Sequence, residues 1–167
     1  MITVHKRTVK VLGNLLIMIV MLSLSMTVAG AEKNGQAAAA KKGKMKALQP
    51  GVYHVEDILK KGLEQKSVDF NYTVLADTKT GSVELFQIGN VRKHFHPKEN
   101  HFLYILKGRA KGQIGDVTAE VGPGDLVVIP AGKKYQHSFT KLSDEPVVFI
   151  LFSSPPFRAG DTVWTEK

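Results

Sequence analysis

From Val68 onward the sequence breaks into short apolar or alternating stretches, each closed within a few residues by Gly, Pro, Asp or Asn. They run from Phe70 to Ala76, Val83 to Val91, His101 to Lys107, Arg109 to Ile114, Val117 to Val121, Leu126 to Ile129, Tyr135 to Thr140 and Val147 to Phe152. Strands this short cannot each hide an apolar face alone, so they must pair into a sandwich or barrel. Thr78-Lys79-Thr80-Gly81, Gly115-Asp116 and Gly122-Pro123-Gly124-Asp125 supply the turns, because Gly accepts positive φ and Pro fixes its own. Nothing between the strands is long enough for a crossover helix, so antiparallel connections are expected. One short helix is expected ahead of them, where Val55, Ile58, Leu59 and Leu63 recur at helical spacing with Gly62 near the end.

The N-terminal part of the chain follows a different logic. Residues 1–31 carry Lys6, Arg7 and Lys10 with no acidic side chain, followed by an apolar run from Leu15 to Val28. This is the pattern of a signal peptide, and Ala29-Gly30-Ala31 supplies the small residues for processing, which puts the expected mature start at Glu32. The apolar run is shorter than the ~20 residues of a bilayer span, so no stable membrane span is expected after cleavage. Export to a periplasm or to the extracellular medium follows as the expected localisation. Residues 32–50 mix Lys41, Lys42, Lys44 and Lys46 with Ala and Gly and draw no buried face, as in a flexible basic linker. The folded domain is expected over residues 51–167.

A net charge of +8 would ordinarily point to nucleic acid, but its location argues otherwise. Residues 47–167 hold 15 basic and 14 acidic side chains, so the domain is nearly neutral and no nucleic-acid partner is expected. The chain has no cysteine, so an exported fold of this sequence gains nothing from disulfides, and a metal site in it has no thiolate ligand.

Four histidines fall in the strand region: His94, His96 and His101 close together, and His137 further on. His94 and His96 are two apart, so on a strand they share a face with Cα atoms about 7 Å apart, near enough to converge on one ion. Pro97-Lys98-Glu99-Asn100 reads as a tight reversal that brings His101 beside them. Glu99 stands as a fallback ligand, since carboxylates suit the same metals. Metal binding requires neutral imidazoles, so affinity is expected to fall below about pH 6.5.

The stretch Gly89 to Gly108, followed by Gly124 to His137, resembles the two signature motifs of the cupin superfamily. Gly89, His94, His96 and Gly108 fit the first motif, with His101 in the place of its glutamate; Gly124, Pro130 and Gly132 fit the second, with Tyr135 in its histidine position. His137 lies two residues beyond Tyr135, on the same face if both share a strand, and is the candidate fourth ligand. The resemblance implies an all-β, double-stranded β-helix (jelly-roll) barrel with the metal inside its mouth.

That resemblance also implies one divalent transition metal, Fe, Zn, Ni, Cu, Co or Mn, held by His94, His96, His101 and His137. With neutral imidazole in place of the glutamate, a divalent ion keeps its full charge, so a small anionic, carboxylate-like ligand is the expected partner. Open coordination positions would support Lewis-acid or oxygen chemistry, with Tyr135 as the candidate for proton transfer. The enzymes of the superfamily include dioxygenases, isomerases, decarboxylases and lyases, and small members often form homodimers. The competing expectation is a non-catalytic metal or small-ligand binding module, in which four imidazoles close a tetrahedral ion.

Overall fold

The structure, a computed structural model, describes residue 48 and residues 50–166. The expected signal peptide and the linker through residue 47 lie outside the described residues. A helix, α1 (Val55–Lys61), leads into the strands β1 (Gln65–Lys66), β2 (Phe70–Asp77), β3 (Ser82–Ile88), β4 (Val91–Phe95), β5 (Asn100–Lys107), β6 (Ala110–Ile114), β7 (Val117–Val121), β8 (Leu126–Ile129), β9 (His137–Lys141), β10 (Val147–Ser154) and β11 (Val163–Trp164). They form two sheets, one ordered β1-β2-β3-β10-β5-β8 and the other β11-β4-β9-β6-β7, with antiparallel pairing throughout. This is the all-β, double-stranded β-helix architecture expected from the sequence.

Alternation of side chains sets the inside of the barrel. Along β5, His101, Leu103 and Ile105 are buried while Phe102 and Tyr104 face outward; along β8, Val127 and Ile129 go in and Leu126 and Val128 go out. The interior is dense in aromatic rings: Phe86 stacks on Tyr72 at 5.0 Å and on Phe149 at 5.3 Å, and Phe157 meets Phe86 edge-on at 5.4 Å. Deleting one such ring costs about 3–5 kcal/mol in a packed core.

The helix covers the outer face of the six-stranded sheet. Val55, Ile58 and Leu59 pack with Leu63 onto Leu85 and Val148, so β3 and β10 are buried on both faces. Glu56 and Asp57 in its first turn and Lys60 and Lys61 in its last complement the helix dipole, and Gly62, at φ 86°, ends it. Gly108 shows why the first motif ends in glycine: its φ is +71°, and a Cβ there would lie 2.6 Å from the Pro146 carbonyl oxygen.

The sequence boundaries need three corrections. The stretch expected as one strand from Val83 to Val91 is two, because Gly89-Asn90 turns the chain between β3 and β4. The stretch expected from Tyr135 to Thr140 begins only at His137, because Lys133–Tyr135 form a turn of 3-10 helix. The short strands β1 and β11 were not expected at all; each is two residues long and is fixed by its neighbour rather than by its own pattern.

Glu84 is an exception among the inward-facing residues of β3. It is 1% exposed, its Oε2 has no hydrogen-bond partner, and burial raises its carboxyl from an ordinary 4.5 to about 8. A carboxyl that holds its proton more tightly folded than unfolded contributes stability below pH 4.5 and loses it as pH rises through about 8. Glu84→Gln, neutral at every pH, should escape this loss. Urea unfolding between pH 5 and 8 should show the variant gaining on the wild type by at most roughly 1.4 kcal/mol per pH unit. Parallel pH profiles would mean that Glu84 is ionised in the fold.

Candidate metal centre

The two sheets present their histidines to a common point. On the five-stranded sheet, His94 of β4 lies in register with His137 of β9 on one side and with Trp164 of β11 on the other. On the six-stranded sheet, His101 of β5 is paired with Ser153 and Ile129. His96 sits just past the end of β4, in the connection that crosses from one sheet to the other. Its carbonyl accepts the N–H of Gly132 at 2.7 Å, which ties the connection to the Pro-x-Gly segment of the second motif. Gly132 has φ +105°, and this crossing requires a residue that tolerates it.

The four rings are 3–5% exposed and lie close together. Ring centroids are 4.2 Å apart for His94 and His137, 5.1 Å for His94 and His96, and 4.1 Å for His96 and His101. Their donor atoms fall into two triads that share His96: His94, His96 and His137, and His96, Glu99 and His101. The sequence reading placed four imidazoles around one point, whereas the folded chain pairs His101 first with Glu99. Their Nε2 and Oε2 are 3.0 Å apart, and the other Glu99 oxygen accepts the N–H of Arg158 at 2.7 Å.

Hydrogen bonds select which ring nitrogens are available. His94 donates Nδ1–H to the Arg92 carbonyl at 2.8 Å, and His137 donates Nδ1–H to the Tyr135 carbonyl at 3.1 Å. A carbonyl only accepts, so the proton is on Nδ1 and each Nε2 keeps its lone pair. The Nδ1 of His96 is buried with no partner at all. Two fixed tautomers and an orphaned ring nitrogen make the His94, His96 and His137 group one that could hold a metal ion.

Burial is the leading cause of every histidine shift in the cluster. It takes His137 down to about 3 and His101 to about 4, and lowers His94 and His96 as well; neighbouring imidazoles lower His96 and His137 further. These rings are therefore neutral, lone-pair donors throughout the physiological range, and proton competition begins well below the pH 6.5 expected from the sequence. Burial pushes the Glu99 carboxyl the other way, up to about 8.

Around the rings lies a cavity of about 50 Å³, lined by the four histidines, Thr162 and apolar side chains such as Leu103, Ile129 and Phe149. The Thr162 hydroxyl is buried without a partner. From the outside, Trp164 rests on His94 at 4.7 Å, the Arg92 guanidinium lies 4.6 Å over Trp164, and Asp69 grips Arg92 through two bonds of 2.7 and 3.0 Å. That arrangement holds Asp69 below the usual carboxylate range.

Tyr135 departs from its expected role. It is in the 3-10 turn rather than on β9, so it does not share a face with His137, and its side chain is not among those lining the cavity. What it supplies is the carbonyl that orients His137. The sequence reading missed Thr162, Phe157 and Trp164, which follow the last expected strand in a run of Pro, Gly and isolated apolar residues. The lone Trp of the chain was the one visible signal there.

Residues 83–153 match the family model described as a Cupin domain. No curated protein matches the sequence. Among solved structures, a Klebsiella pneumoniae protein with a double-stranded β-helix domain is 16% identical, with 71% of this chain and all of that one covered at a TM-score of 0.56. The polyketide cyclase RemF from Streptomyces resistomycificus is 22% identical over 71% of this chain and 87% of its own, at 0.55. Oxalate decarboxylase from Bacillus subtilis is 21% identical over 64% of this chain and 31% of its own, at 0.52. These likenesses show the fold, a double-stranded β-helix, and the Cupin domain match covers residues 83–153 within it.

Proposed function

We propose that the protein is an exported, metal-dependent cupin that takes a small carboxylate-like anion at one divalent transition metal and acts on it. The observation that carries this reading is the convergence of His94, His96 and His137, with two of the three tautomers fixed by main-chain carbonyls. An all-nitrogen, thiolate-free set suits Fe, Zn, Ni, Cu or Co, and Mn less well. When bound, the metal would supply Lewis-acid or oxygen chemistry to a ligand in the cavity.

The charge of the site gives the ligand class. Neutral imidazoles leave a divalent ion uncompensated in an apolar surround, and Glu99 supplies at most one negative charge; an anion supplies the rest. Size narrows it: 50 Å³ has room for roughly three to five water-sized groups, so the part of the ligand that reaches the histidines is small. Thr162 offers its unpartnered hydroxyl to orient such a group. Glu99, hydrogen-bonded to His101, is placed to take or return a proton at Oε2. The oxalate-decarboxylating neighbour is named for a ligand of this class, and the charge and size of the site support the same class.

The small cavity also favours a second reading, a binding module without turnover, in which protein donors fill every position on the metal. Elemental analysis followed by spectroscopy of the Co- or Fe-loaded protein with oxalate or formate separates the two. A shift in the metal spectrum on adding the acid supports an open position, whereas an unresponsive metal supports the module. His96→Ala should abolish metal binding, since both triads use that ring.

Two further outcomes are expected. A protonated imidazole has no lone pair to give, and burial lowers every ring of the cluster from the ordinary 6.5, His101 to about 4 and His137 to about 3, so equilibrium dialysis with elemental analysis should find the metal retained at pH 6 and released only at more acid pH. Release already at pH 6 would overturn the buried, neutral donor set. Thr162→Val, which keeps shape and removes the hydroxyl, should weaken carboxylate binding about tenfold with metal content unchanged. Unaltered affinity would remove Thr162 from the site.

A further inference from the structure

A second and larger cleft, of about 480 Å³, is lined in part by Glu99, whose carboxyl meets His101 of the metal cavity at 3.0 Å. Three loops build it: the β2–β3 turn brings Lys79, the β4–β5 turn brings Lys98 and Glu99, and the segment after β10 brings Arg158 and Asp161. Its charges are unevenly committed. Asp161 accepts the N–H groups of Lys98 and Glu99 at 3.0 and 3.2 Å with one oxygen, and Glu99 accepts from the Arg158 main chain and meets His101. Arg158 reaches Asp77 at 3.3 Å with its guanidinium still half exposed. Lys79 and Lys98 are exposed, and among the described residues neither ammonium has an ion-pair or hydrogen-bond partner. In a domain that is otherwise nearly neutral, two free ammonium groups and the partly exposed Arg158 guanidinium, which also donates to the Phe157 carbonyl, line one concavity with Asp161.

We propose that this outer cleft is a binding subsite for the oxyanion of a small organic acid, carboxylate or phosphate, held by Lys79, Lys98 and Arg158. This deepens the metal-centre reading and rests on it in taking the captured anion to be the one the metal receives. Lys79, Lys98 and Arg158 outnumber the acidic groups of the cleft, Asp161 and Glu99, and an excess of positive charge in a concavity raises the local concentration of anions and speeds their capture. The two cavities are linked through one hydrogen-bonded pair: the outer is roomy and has an excess of cationic side chains, the inner is small and lined by imidazole and apolar groups, and Glu99 of the outer meets His101 of the inner at 3.0 Å. Because both lysines are exposed, their interaction with an anion is screened as salt approaches a Debye length of about 10 Å near 0.1 M.

The test is calorimetric titration of the metal-loaded protein with malonate and with inorganic phosphate, at low and at about 0.3 M salt, with the metal spectrum followed in parallel. Wild type is compared with the Lys79→Gln/Lys98→Gln double variant. The expected result is salt-sensitive binding that drops about tenfold in the double variant while metal content stays the same. Lysine-dependent binding of malonate, of phosphate or of both supports the subsite and says which oxyanion it takes. Equal affinity in wild type and double variant, or no binding of either anion, overturns it. If the acid shifts the metal spectrum but ignores the lysines, the metal reading stands and the cleft does not; if binding depends on the lysines and the spectrum never moves, the cleft stands and the metal reading fails.

Discussion

The cluster depends on one local device used twice. His94 and His137 each turn Nδ1–H back to the carbonyl two residues earlier, on Arg92 and on Tyr135. Because β4 and β9 run antiparallel with these two histidines in register, the two bonds fix both rings from opposite chain directions. Neither ring can then rotate or change tautomer without leaving a buried N–H unpaired, at a cost of about 1–3 kcal/mol. His96 has no such anchor, and its buried Nδ1 is the atom that most needs a partner the protein does not provide.

The aromatic packing around the site follows from the same need to exclude water. Phe157 packs on Tyr72, Phe86 and His101, and Trp164 covers His94 under the Arg92 guanidinium. Desolvation by these rings, more than any single charge, keeps the imidazoles neutral. The same desolvation acts in the opposite direction on Glu84 and Glu99, since a buried acid is neutral when protonated and a buried imidazole is neutral when not. The interior thus tolerates polar groups only in their uncharged forms unless a counter-charge is brought in.

How far the sequence could be read depends on how local each determinant is. Helix α1 was legible because Val55, Ile58 and Leu59 mark its stripe, and β7 and β8 because turn residues bound them on both sides. His94, His96, His101 and His137 were legible because a strand and a tight reversal bring such spacings together. The misplacement of Tyr135 came from treating it as continuous with β9, where Gly132 had already bent the chain into a 3-10 turn. Glu84 was hidden because Leu85, its outward neighbour, is buried too: α1 covers the outer face, so β3 shows no alternation that would reveal a carboxyl pointing inward. Thr162 and Trp164 owe their places to a two-residue pairing with β4, a long-range contact that no local pattern encodes.

Glu99 is where these strands of argument meet. The sequence offered it as a fallback ligand that could complete the set in place of His137, and the fold joins it to His101: the carboxyl reaches His101 with one oxygen, accepts the Arg158 N–H with the other, and its own N–H is held by Asp161. A residue tied to the start of β5 and to the segment after β10 is positioned by contacts distant in sequence. It meets the buried, neutral His101, and in the outer cleft it stands with the exposed lysines Lys79 and Lys98. An anion moving from the outer cleft to the histidines would therefore leave one set of positive charges and need another at its destination. Neutral imidazoles do not supply that charge; a divalent ion on them does. The cationic cleft and the neutral donor set are thus compatible as one site only when the metal is present, so anion binding at the histidines depends on metal binding.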